Sequence, residues 1–390
     1  MRVTHVITRL VVGGAQENTV ATVLGLQSKP GIEVDLISGP TTGPEGSLES
    51  CFTSSPQLLS IVPHLVRPVS PRHDILAFQH LSRIFRDRRP EFVHTHSGKA
   101  GVLGRLAARR AGVPVIIHHI HGPSFGPFQG RITNFVFKNV ERYAARFTDH
   151  FVCSANAMTR IYLSAGIGRP EMFTRVFSGF RVEPFLESIN DLELRGKLGF
   201  AAGDFVIGKI GRLAPLKGHE DLFLALQALL TELPGARLLL IGDGPMRKQL
   251  EAGAKRLGLG NKVIFTGLVK PDEVPRYVGI TDCVAHLSAR EALSRALPQA
   301  LAAGKPVISY DFDGADEVCL NGETGFLVRT GDIASVTRHL LQLAREPGLR
   351  EELGAKGRCF VKERFRVEDM VDKLYDLYLH LSQEQAMMSK

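Results

Sequence analysis

The chain of 390 residues is long enough for two domains of ordinary size, each with its own core, and its composition is that of a globular protein. Five scattered cysteines without C-x-x-C spacing argue against a disulfide framework or a zinc site and fit a reducing cytoplasm. No apolar run approaches the roughly 18 residues of a membrane span, and the polar start MRVTHVITRL does not resemble a secretory signal. Any membrane association is therefore expected to be peripheral.

The formal net charge of +8 is unevenly distributed along the chain. Residues 1–190 hold 21 basic and 13 acidic side chains, whereas the remainder holds 27 of each. The excess is densest between Arg83 and Arg146. It predicts attraction to anionic lipid headgroups or to a phosphate-bearing acceptor, with an ordinary solvated surface as the alternative. Nucleic acid is disfavoured because no binding motif accompanies the charge.

Strands and helices alternate through the first half of the chain, which predicts a parallel sheet with helices on both faces. The predicted strands are Val3–Thr8, Ile32–Ser38, Phe92–His96, Val113–His118 and Phe151–Cys153, and helices are predicted from Ala15 and over 74–89, 97–111 and 155–163. Gly39–Ser60 is rich in turn-forming residues and predicts a mobile loop. Gly13 and Gly14 would let the backbone approach a ligand after the first strand, but they do not form the G-x-G-x-x-G pattern of a dinucleotide site.

The second half repeats this alternation after a linker predicted at Asp191–Gly203. Its predicted strands are 205–210, 237–241, 263–266, 283–287 and 307–310, with helices ending near Leu233, spanning 245–257 and closing the chain at 368–381. Arg212 and Lys217 lie in the loop GRLAPLKG between a strand end and a helix. A guanidinium and an ammonium at this place can neutralise phosphate charge. The alternative is that the two cations are solvated side chains on the surface, which is the commoner case for an isolated pair.

The stretch from Ala289 to Asp313 predicts a loop, a helix, a glycine stop and a buried strand. Ser294 is the predicted N-cap, and Gly304 supplies the left-handed stop. Glu291 would then lie just before a helix N-terminus, at the carboxyl ends of the strands, where doubly wound domains bind ligands and anions in particular. The alternative for Glu291 is a carboxylate that only interacts with the helix dipole.

This stretch resembles the retaining glycosyltransferases of family 4, which have the GT-B fold of two Rossmann-like domains facing across a cleft. Their pattern is Glu, seven residues, a second Glu, then A-x-A-x-G-x-P-V. The sequence has Glu291 at the first position and departs from the pattern with Ala292, Ser294 and Gln299. The block THSGKAGVLGRLAARRAGVPVIIHHIHG also resembles the family's first domain, and the resemblance covers essentially the whole chain.

The resemblance implies roles for individual residues. Glu291 would orient the donor sugar, Gln299 would hold the ribose hydroxyls in place of the usual Glu, and His121 would contact the sugar near the reaction centre. Arg212 and Lys217 would stabilise the departing diphosphate. The donor-binding set is completed by glycines and loop residues, namely Gly13, Gly14, Gly211, Gly242, Leu268 and Val269. Compared with the usual Glu, Gln299 keeps a hydrogen-bond acceptor but loses the negative charge. The alternative is that Gln299 is a helix-surface residue without a role.

No metal is expected at the site. His118, His119 and His121 could suggest a metal cluster, but adjacent strand residues face opposite ways and no partner carboxylate is evident. Asp311 and Asp313 resemble the D-x-D of metal-dependent transferases, yet here they belong to a loop that follows a strand. The positive side chains would take over the role of Mg²⁺.

Together these features predict an enzyme with domains 1–190 and 191–367, the second binding the nucleotide sugar and helix 368–381 packing back on the first. It would be a cytoplasmic glycosyltransferase, peripheral at the inner face of the membrane. It would move a sugar, with retention, from a nucleotide diphosphate donor to an acceptor hydroxyl, and UDP is the expected nucleotide. A lipid-linked saccharide or a polysaccharide precursor fits the basic first domain. The alternatives are a nucleotide-sugar epimerase of the same fold and a non-catalytic nucleotide-sugar binder.

Overall fold

The computed structural model describes residues 1–42 and 46–388, which fold into two compact units. One unit comprises Met1–Phe180 with Val367–Lys390, and the other comprises Arg181–Arg366. Residues 181–190, assigned from the sequence to the first domain, therefore belong to the second unit. Within the described part of the chain, no helix is both long and apolar enough to cross a membrane.

The first unit is built on a seven-stranded parallel sheet with the order β3-β2-β1-β4-β5-β6-β7. Its strands are β1 Arg2–Ile7, β2 Glu33–Ser38, β3 Leu59–Ile61, β4 Phe92–His96, β5 Val115–Ile120, β6 His150–Cys153 and β7 Phe173–Arg175. Its helices are α1 Gly14–Leu26, α2 Pro71–Arg88, α3 Gly98–Ala111, α4 Arg131–Ala145 and α5 Asn156–Ser164. Every residue of β4 and β5 is buried, because both faces of a central strand are covered by helices.

The second unit has a six-stranded parallel sheet with the order β10-β9-β8-β11-β12-β13. Its strands are β8 Phe205–Ile210, β9 Ala236–Ile241, β10 Val263–Phe265, β11 Cys283–His286, β12 Val307–Tyr310 and β13 Gly325–Val328. Its helices are α6 Glu183–Leu186, α7 Leu192–Lys197, α8 His219–Leu229, α9 Arg247–Arg256, α10 Val274–Gly279, α11 Ala296–Ala302, α12 Ile333–Arg345 and α13 Pro347–Lys362. The predicted pair of doubly wound parallel sheets is thus confirmed.

The strand order reverses direction beside the first strand of each unit. In the first unit β1 lies between β2 and β4, and in the second unit β8 lies between β9 and β11. The loops that follow β8 and β11 therefore leave the sheet on opposite faces and open a crevice at the carboxyl ends of these strands. This topology selects the segments around Lys217 and Glu291 as the ligand-binding region of the second unit.

The last helix, α14 Val367–Met388, belongs to the first unit. Its apolar side chains Met370, Leu374 and Tyr378 are buried in the core that α1 and β1 also line. Gly25 of α1 allows the close approach, since a Cβ there would lie 2.5 Å from a methyl group of Val371. The hydrophobic effect of burying this face holds α14 against the sheet.

Several segments differ from their prediction. Helix α4 and strands β3 and β7 were not predicted. Strand β3 overlaps the end of the expected loop 39–60, of which residues 43–45 lie outside the described part. The expected linker at 191–203 contains α7, whose first turn is capped where Asp191 Oδ1 accepts from the Leu194 amide at 2.9 Å. Strands β3 and β7 and helix α7 are too short to show a periodic pattern, whereas α4 has 15 residues with helical spacing of its apolar side chains and was missed.

A buried ion pair joins α3 to α4. Arg105 donates to Oε1 of Glu141 at 2.7 Å, and both side chains are at most 2% exposed. The guanidinium also donates to the Gly101 carbonyl at 2.7 Å and to Thr148 Oγ1 at 3.3 Å, so its charge is compensated on several sides. Arg105 lies in the basic segment 83–146, for which the sequence predicted attraction to anionic lipid, but its burial excludes that role for this residue.

We expect Glu141→Ala to lower the free energy of unfolding by roughly 3–5 kcal/mol, because it leaves the Arg105 guanidinium buried without its counter-charge. Urea unfolding followed by circular dichroism measures the change. The control is Glu171→Ala, which breaks the exposed contact with Arg169 and should change stability by about 1 kcal/mol or less. Equal effects of the two substitutions would show that the buried pair has no special importance.

Candidate active site

The loops after β8 and β11 are held together by their main chains. Gly218 has a φ of 67°, and a Cβ at this position would lie 1.9 Å from the carbonyl oxygen of Leu287. The carbonyl of Leu216 accepts from the amide of Ala289 at 2.9 Å and from Ser288 Oγ at 3.2 Å. Only glycine fits so close to a neighbouring backbone in the left-handed region. The contact fixes Lys217 beside Glu291.

Glu291 lies at the centre of a polar cluster. Its Oε1 accepts from the Lys217 ammonium and lies 3.4 Å from Ser288 Oγ and 3.6 Å from His286 Nε2. Burial by itself would raise the pKa of the Glu291 carboxyl, but His286 and Lys217 outweigh it and lower that pKa to about 2. The carboxylate is therefore ionised at neutral pH and can accept hydrogen bonds from hydroxyl groups of a ligand.

Two further basic residues were missed by the sequence reasoning. Lys209, near the end of β8, is 3% exposed, and His219, at the start of α8, is 1% exposed. Burial, followed by the charge of Lys217, lowers the pKa of Lys209 to about 7. Burial likewise lowers the pKa of His219 to about 3. The signal for Lys209 was available in the sequence, since a lysine inside the apolar strand FVIGKI is unexpected.

Asp313 supports the main chain of Glu291. Its Oδ2 accepts from the Glu291 amide at 3.0 Å, and its own backbone has a φ of 52°. Burial raises the pKa of the Asp313 carboxyl to about 6, and the negative charge of Glu291 adds to this effect. The structure thus gives Asp313 a role as a positioning residue for the loop, one that the sequence reasoning had not assigned.

The remaining predicted residues of the second unit lie in the loops after neighbouring strands, except Gln299, which lies in α11. A Cβ on Gly242 would lie 2.3 Å from the Gly211 carbonyl, and Gly242 pairs with Gly267 in an antiparallel bridge. These contacts tie together the loops after β8, β9 and β10. The side chains of Arg212 and Leu268 are exposed beside them, and Val269 and Gln299 are half-buried.

The predicted cap of α11 is wrong. The helix begins at Ala296, with Arg295 as its N-cap. The segment before it is held in a loop, because the Glu291 amide donates to Asp313 Oδ2 and the Ala292 carbonyl accepts from the Gly314 amide. Ser294 Oγ accepts from the Ala296 amide at 3.3 Å, so its hydroxyl stabilises the turn that precedes the helix. Gln299 consequently lies in the first turns of a short helix.

The predicted residues of the first unit lie in two loops at the carboxyl ends of its strands. Gly13 is the N-cap of α1, where its carbonyl accepts from the Glu17 amide at 2.9 Å, and Gly14 is the first residue of the helix. His121 directly follows β5 and is half-buried. Burial lowers the pKa of His121 to about 3, so the imidazole is neutral at pH 7. A neutral ring can accept from or donate to a hydroxyl group.

His121 is the outermost member of a group of five imidazoles, which we call the histidine stack. Neighbouring rings lie 4.0 to 5.6 Å apart between centroids, and the members are His5, His94, His96, His119 and His121. His96 Nδ1 is 2.9 Å from His121 Nε2, and His96 Nε2 is 2.8 Å from His5 Nδ1. His118 points to the opposite face of the sheet, where its Nδ1 is 2.9 Å from Thr95 Oγ1.

Comparisons with known proteins find similar sequences for both halves of the chain. The model for glycosyl transferases group 1 matches residues 190–360, and the model for glycosyltransferase family 4 matches residues 12–172. A galactosyltransferase of Escherichia coli, named for UDP-Gal and GlcNAc-diphosphoundecaprenol, is 28% identical over 82% of this chain and 83% of its own length. The putative glycosyltransferase EpsD of Bacillus subtilis is 29% identical over 80% of this chain and 83% of its own.

A solved structure has the same fold. Anabaena HepE, crystallised in complex with UDP-glucose, superposes with a TM-score of 0.82 at 23% identity, covering 97% of this chain and all of the other. At this identity the likeness establishes the fold. The expected Rossmann-like architecture of both units is therefore confirmed by comparison as well as by the strand order.

We expect Lys209→Met to stabilise the protein at pH 6 by about 1–4 kcal/mol, as when other buried charges are replaced by apolar side chains. The pKa of Lys209 is about 7 in the folded state and 10.5 in the unfolded state. Below pH 7 the ammonium is charged in both states, so the full cost of burying it opposes folding. This cost fades as the pH rises from 7 to 10.5, because the unfolded state then binds more protons. The advantage of the variant should therefore shrink towards pH 10.

Urea unfolding at pH 6 and pH 10 tests this prediction, with the exposed Lys248→Met as the matched control. A stability gain that is the same at both pH values would contradict the assignment of a buried ammonium.

Proposed function

Because the chain belongs to the family 4 glycosyltransferases and has their GT-B fold, we propose that it transfers a sugar, with retention of configuration, from a UDP-linked donor to a lipid-linked saccharide. The observation that carries this proposal is the contact of Lys217 with Glu291 at the carboxyl ends of β8 and β11. An ammonium beside an ionised carboxylate is a combination that suits a diphosphate and a sugar, which supports the proposal. The name of the Escherichia coli relative supports both the UDP donor and the lipid diphosphate acceptor.

The charges of this site suit a departing diphosphate. As the glycosidic bond breaks, negative charge grows on the phosphate oxygen that leaves the sugar. In the proposed mechanism the Lys217 ammonium and the Arg212 guanidinium stabilise that charge where it develops. Lys209 adds positive potential from the buried side, and the glycine-rich main chain at Gly211 and Gly242 lets the phosphates approach closely.

The carboxylate of Glu291 has a different task. We assign it to the donor sugar, where it accepts hydrogen bonds from hydroxyl groups and fixes the ring beneath the phosphate. Binding of the diphosphate to Lys217 would release Glu291 from its ion pair for this contact. Gln299 is assigned to the ribose, which its amide can bind without charge. The neutral imidazole of His121 is assigned to a sugar hydroxyl.

The acceptor hydroxyl attacks the face of the sugar that the diphosphate leaves, and a donor phosphate oxygen helps to take its proton. Every step of this mechanism uses only groups of the protein and of the donor. We therefore propose that transfer needs no divalent metal at the diphosphate, and that Asp313 acts through the Glu291 main chain.

Incubation with a panel of UDP-sugars tests the function, first alone and then with a lipid-diphosphate-linked N-acetylhexosamine. We expect glycosylated lipid by mass spectrometry, an unchanged anomeric configuration by NMR, and the same rate in the presence of excess EDTA. Isomerised donor would indicate an epimerase, and neither product would indicate a binding protein. Loss of turnover in EDTA that Mg²⁺ restores would reinstate Asp311 and Asp313 as ligands.

In the same assay Lys217→Ala should lower kcat by about 10²–10³-fold, as for the loss of one group that stabilises transition-state charge. Glu291→Gln should lower turnover while UDP affinity, measured by calorimetry, stays within a few-fold. Lys248→Ala, an exposed lysine of α9, is the control. A normal kcat for Lys217→Ala at saturating donor would remove Lys217 from the mechanism.

The exposed face of α4 supports a lipid-borne acceptor. Five apolar side chains repeat at helical spacing and are 38% to 82% exposed, namely Ile132, Phe135, Val136, Val140 and Tyr143. Basic residues on or next to the same helix include Arg131, Lys138 and Arg146. A helix with an apolar face and basic flanks is typical of binding in the headgroup region of an anionic membrane. We propose that α4 docks on such a surface, in addition to the exposed arginines of α2 and α3.

Co-sedimentation with vesicles of phosphatidylglycerol or phosphatidylcholine tests the docking at low and high salt. We expect at least tenfold stronger binding to the anionic vesicles, weakened by salt because the charges are screened. The double variant I132S/F135S should lose this binding, whereas I189S/L192S, which removes two equally exposed apolar side chains of the second unit, should retain it. Equal binding to both lipids, or none, would favour an acceptor in solution.

A further inference from the structure

The histidine stack of the first unit has the composition of a metal site. We propose that His96, His119 and His121 bind a divalent transition metal, with Zn²⁺ as the physiological candidate. One potential ligand atom from each ring lies within 4.8 Å of the other two. The proposal does not rest on sugar transfer, since it uses only side chains of the first unit and a ligand that is the ion itself.

Strand register brings the three rings together. His119 is in β5, His121 follows two positions later on the same face, and His96 of β4 is the register partner of His119. The nitrogens of tetrahedral zinc ligands are about 3.3 Å apart, given Zn–N bonds of about 2.0–2.1 Å. The existing separation of 2.9 Å between His96 Nδ1 and His121 Nε2 is already close to this value. A tilt of the His119 and His121 rings, now 11° from parallel, would aim their lone pairs at one point.

His119 supplies an independent observation. Its side chain is fully buried, and neither ring nitrogen has a hydrogen-bond partner among the described residues. A buried polar group without a partner costs about 1–3 kcal/mol, so such a ring is unexpected in a core where leucine would fit. Coordination of a metal by one nitrogen would satisfy the lone pair that the protein leaves unused.

The other members of the stack form an outer layer around this site. With a metal on His96 Nδ1, the proton of His96 resides on Nε2 and is donated to His5 Nδ1 at 2.8 Å. His5 Nε2 then donates to the Tyr378 hydroxyl at 3.3 Å, and that hydroxyl donates to His94 Nδ1 at 2.6 Å. One set of tautomers thus satisfies every bond in the chain. Metal-binding histidines are commonly oriented by a hydrogen bond from their second nitrogen in this way.

The ligand set selects the kind of ion. Three neutral imidazoles suit Zn²⁺, Ni²⁺ and Cu²⁺, whereas Mg²⁺ requires oxygen ligands. Three protein ligands leave a fourth coordination position for water. His121 is the half-buried ligand, so an ion would reach the site from its side. The sequence analysis argued against a metal cluster at residues 118–121 because adjacent strand residues face opposite ways, and His118 does face away. It did not consider the imidazoles that β1 and β4 contribute to the same face.

Cobalt titration of the chelator-treated full chain tests the proposal. Co²⁺ reports a four-coordinate site by its visible d–d absorption, and Zn²⁺ should abolish that absorption by displacing it. We expect one equivalent to bind. His119→Phe keeps an aromatic ring in the stack but removes a ligand, and it should weaken binding at least tenfold, as should His121→Ala at the half-buried edge.

His150→Gln is the matched control, because His150 is a buried histidine of the same sheet outside the stack, and it should bind Co²⁺ as the wild type does. Circular dichroism establishes that each variant is folded. The proposal would be overturned if the wild type bound no ion with a four-coordinate spectrum, or if both ligand variants bound as tightly as the control.

Discussion

The close approach of two backbones at Gly218 and Leu287 is the constraint on which the candidate active site depends. Parallel strands deliver their loops to one edge of the sheet, but only the absence of a side chain at residue 218 lets the loop after β8 reach the loop after β11. The hydrogen bonds at Leu216 then fix the register of the two loops. Lys217 and Glu291, far apart in the chain, become an ion pair as a consequence.

The two units treat buried charge in different ways. In the first unit Arg105 and Glu141 compensate each other and receive further hydrogen bonds, so the pair joins two helices. In the second unit Lys209 is buried near another cation, Lys217, which lowers its pKa and makes its burial unfavourable for folding. A charge that opposes folding at the carboxyl end of a strand points to a use in binding anions.

The histidine stack connects the C-terminal helix to the sheet of the first unit. The Tyr378 hydroxyl of α14 lies within hydrogen-bond distance of both His94 and His5, and its ring packs edge-on against theirs. The contact that packs α14 against the sheet thus also joins the hydroxyl to two imidazoles of the stack. His121, assigned to sugar binding by family resemblance, is the outer end of this hydrogen-bonded chain.

The sequence by itself determined the alternation of strands and helices, both doubly wound sheets and the loops that carry Arg212, Lys217 and Glu291, because hydrophobic period and glycine position are local properties. It missed α4 as a helix, and only the tertiary structure showed that its apolar face is exposed and that Arg105 is buried, since burial depends on what covers a surface. It also placed the cap of α11 at Ser294, where loop contacts shift the start to Ala296. The cluster of Lys209, Asp313 and Glu291 and the gathering of His5, His96 and His119 depend on strand register. Residues from different strands become neighbours only when the sheet forms, and no spacing along the chain records that distance.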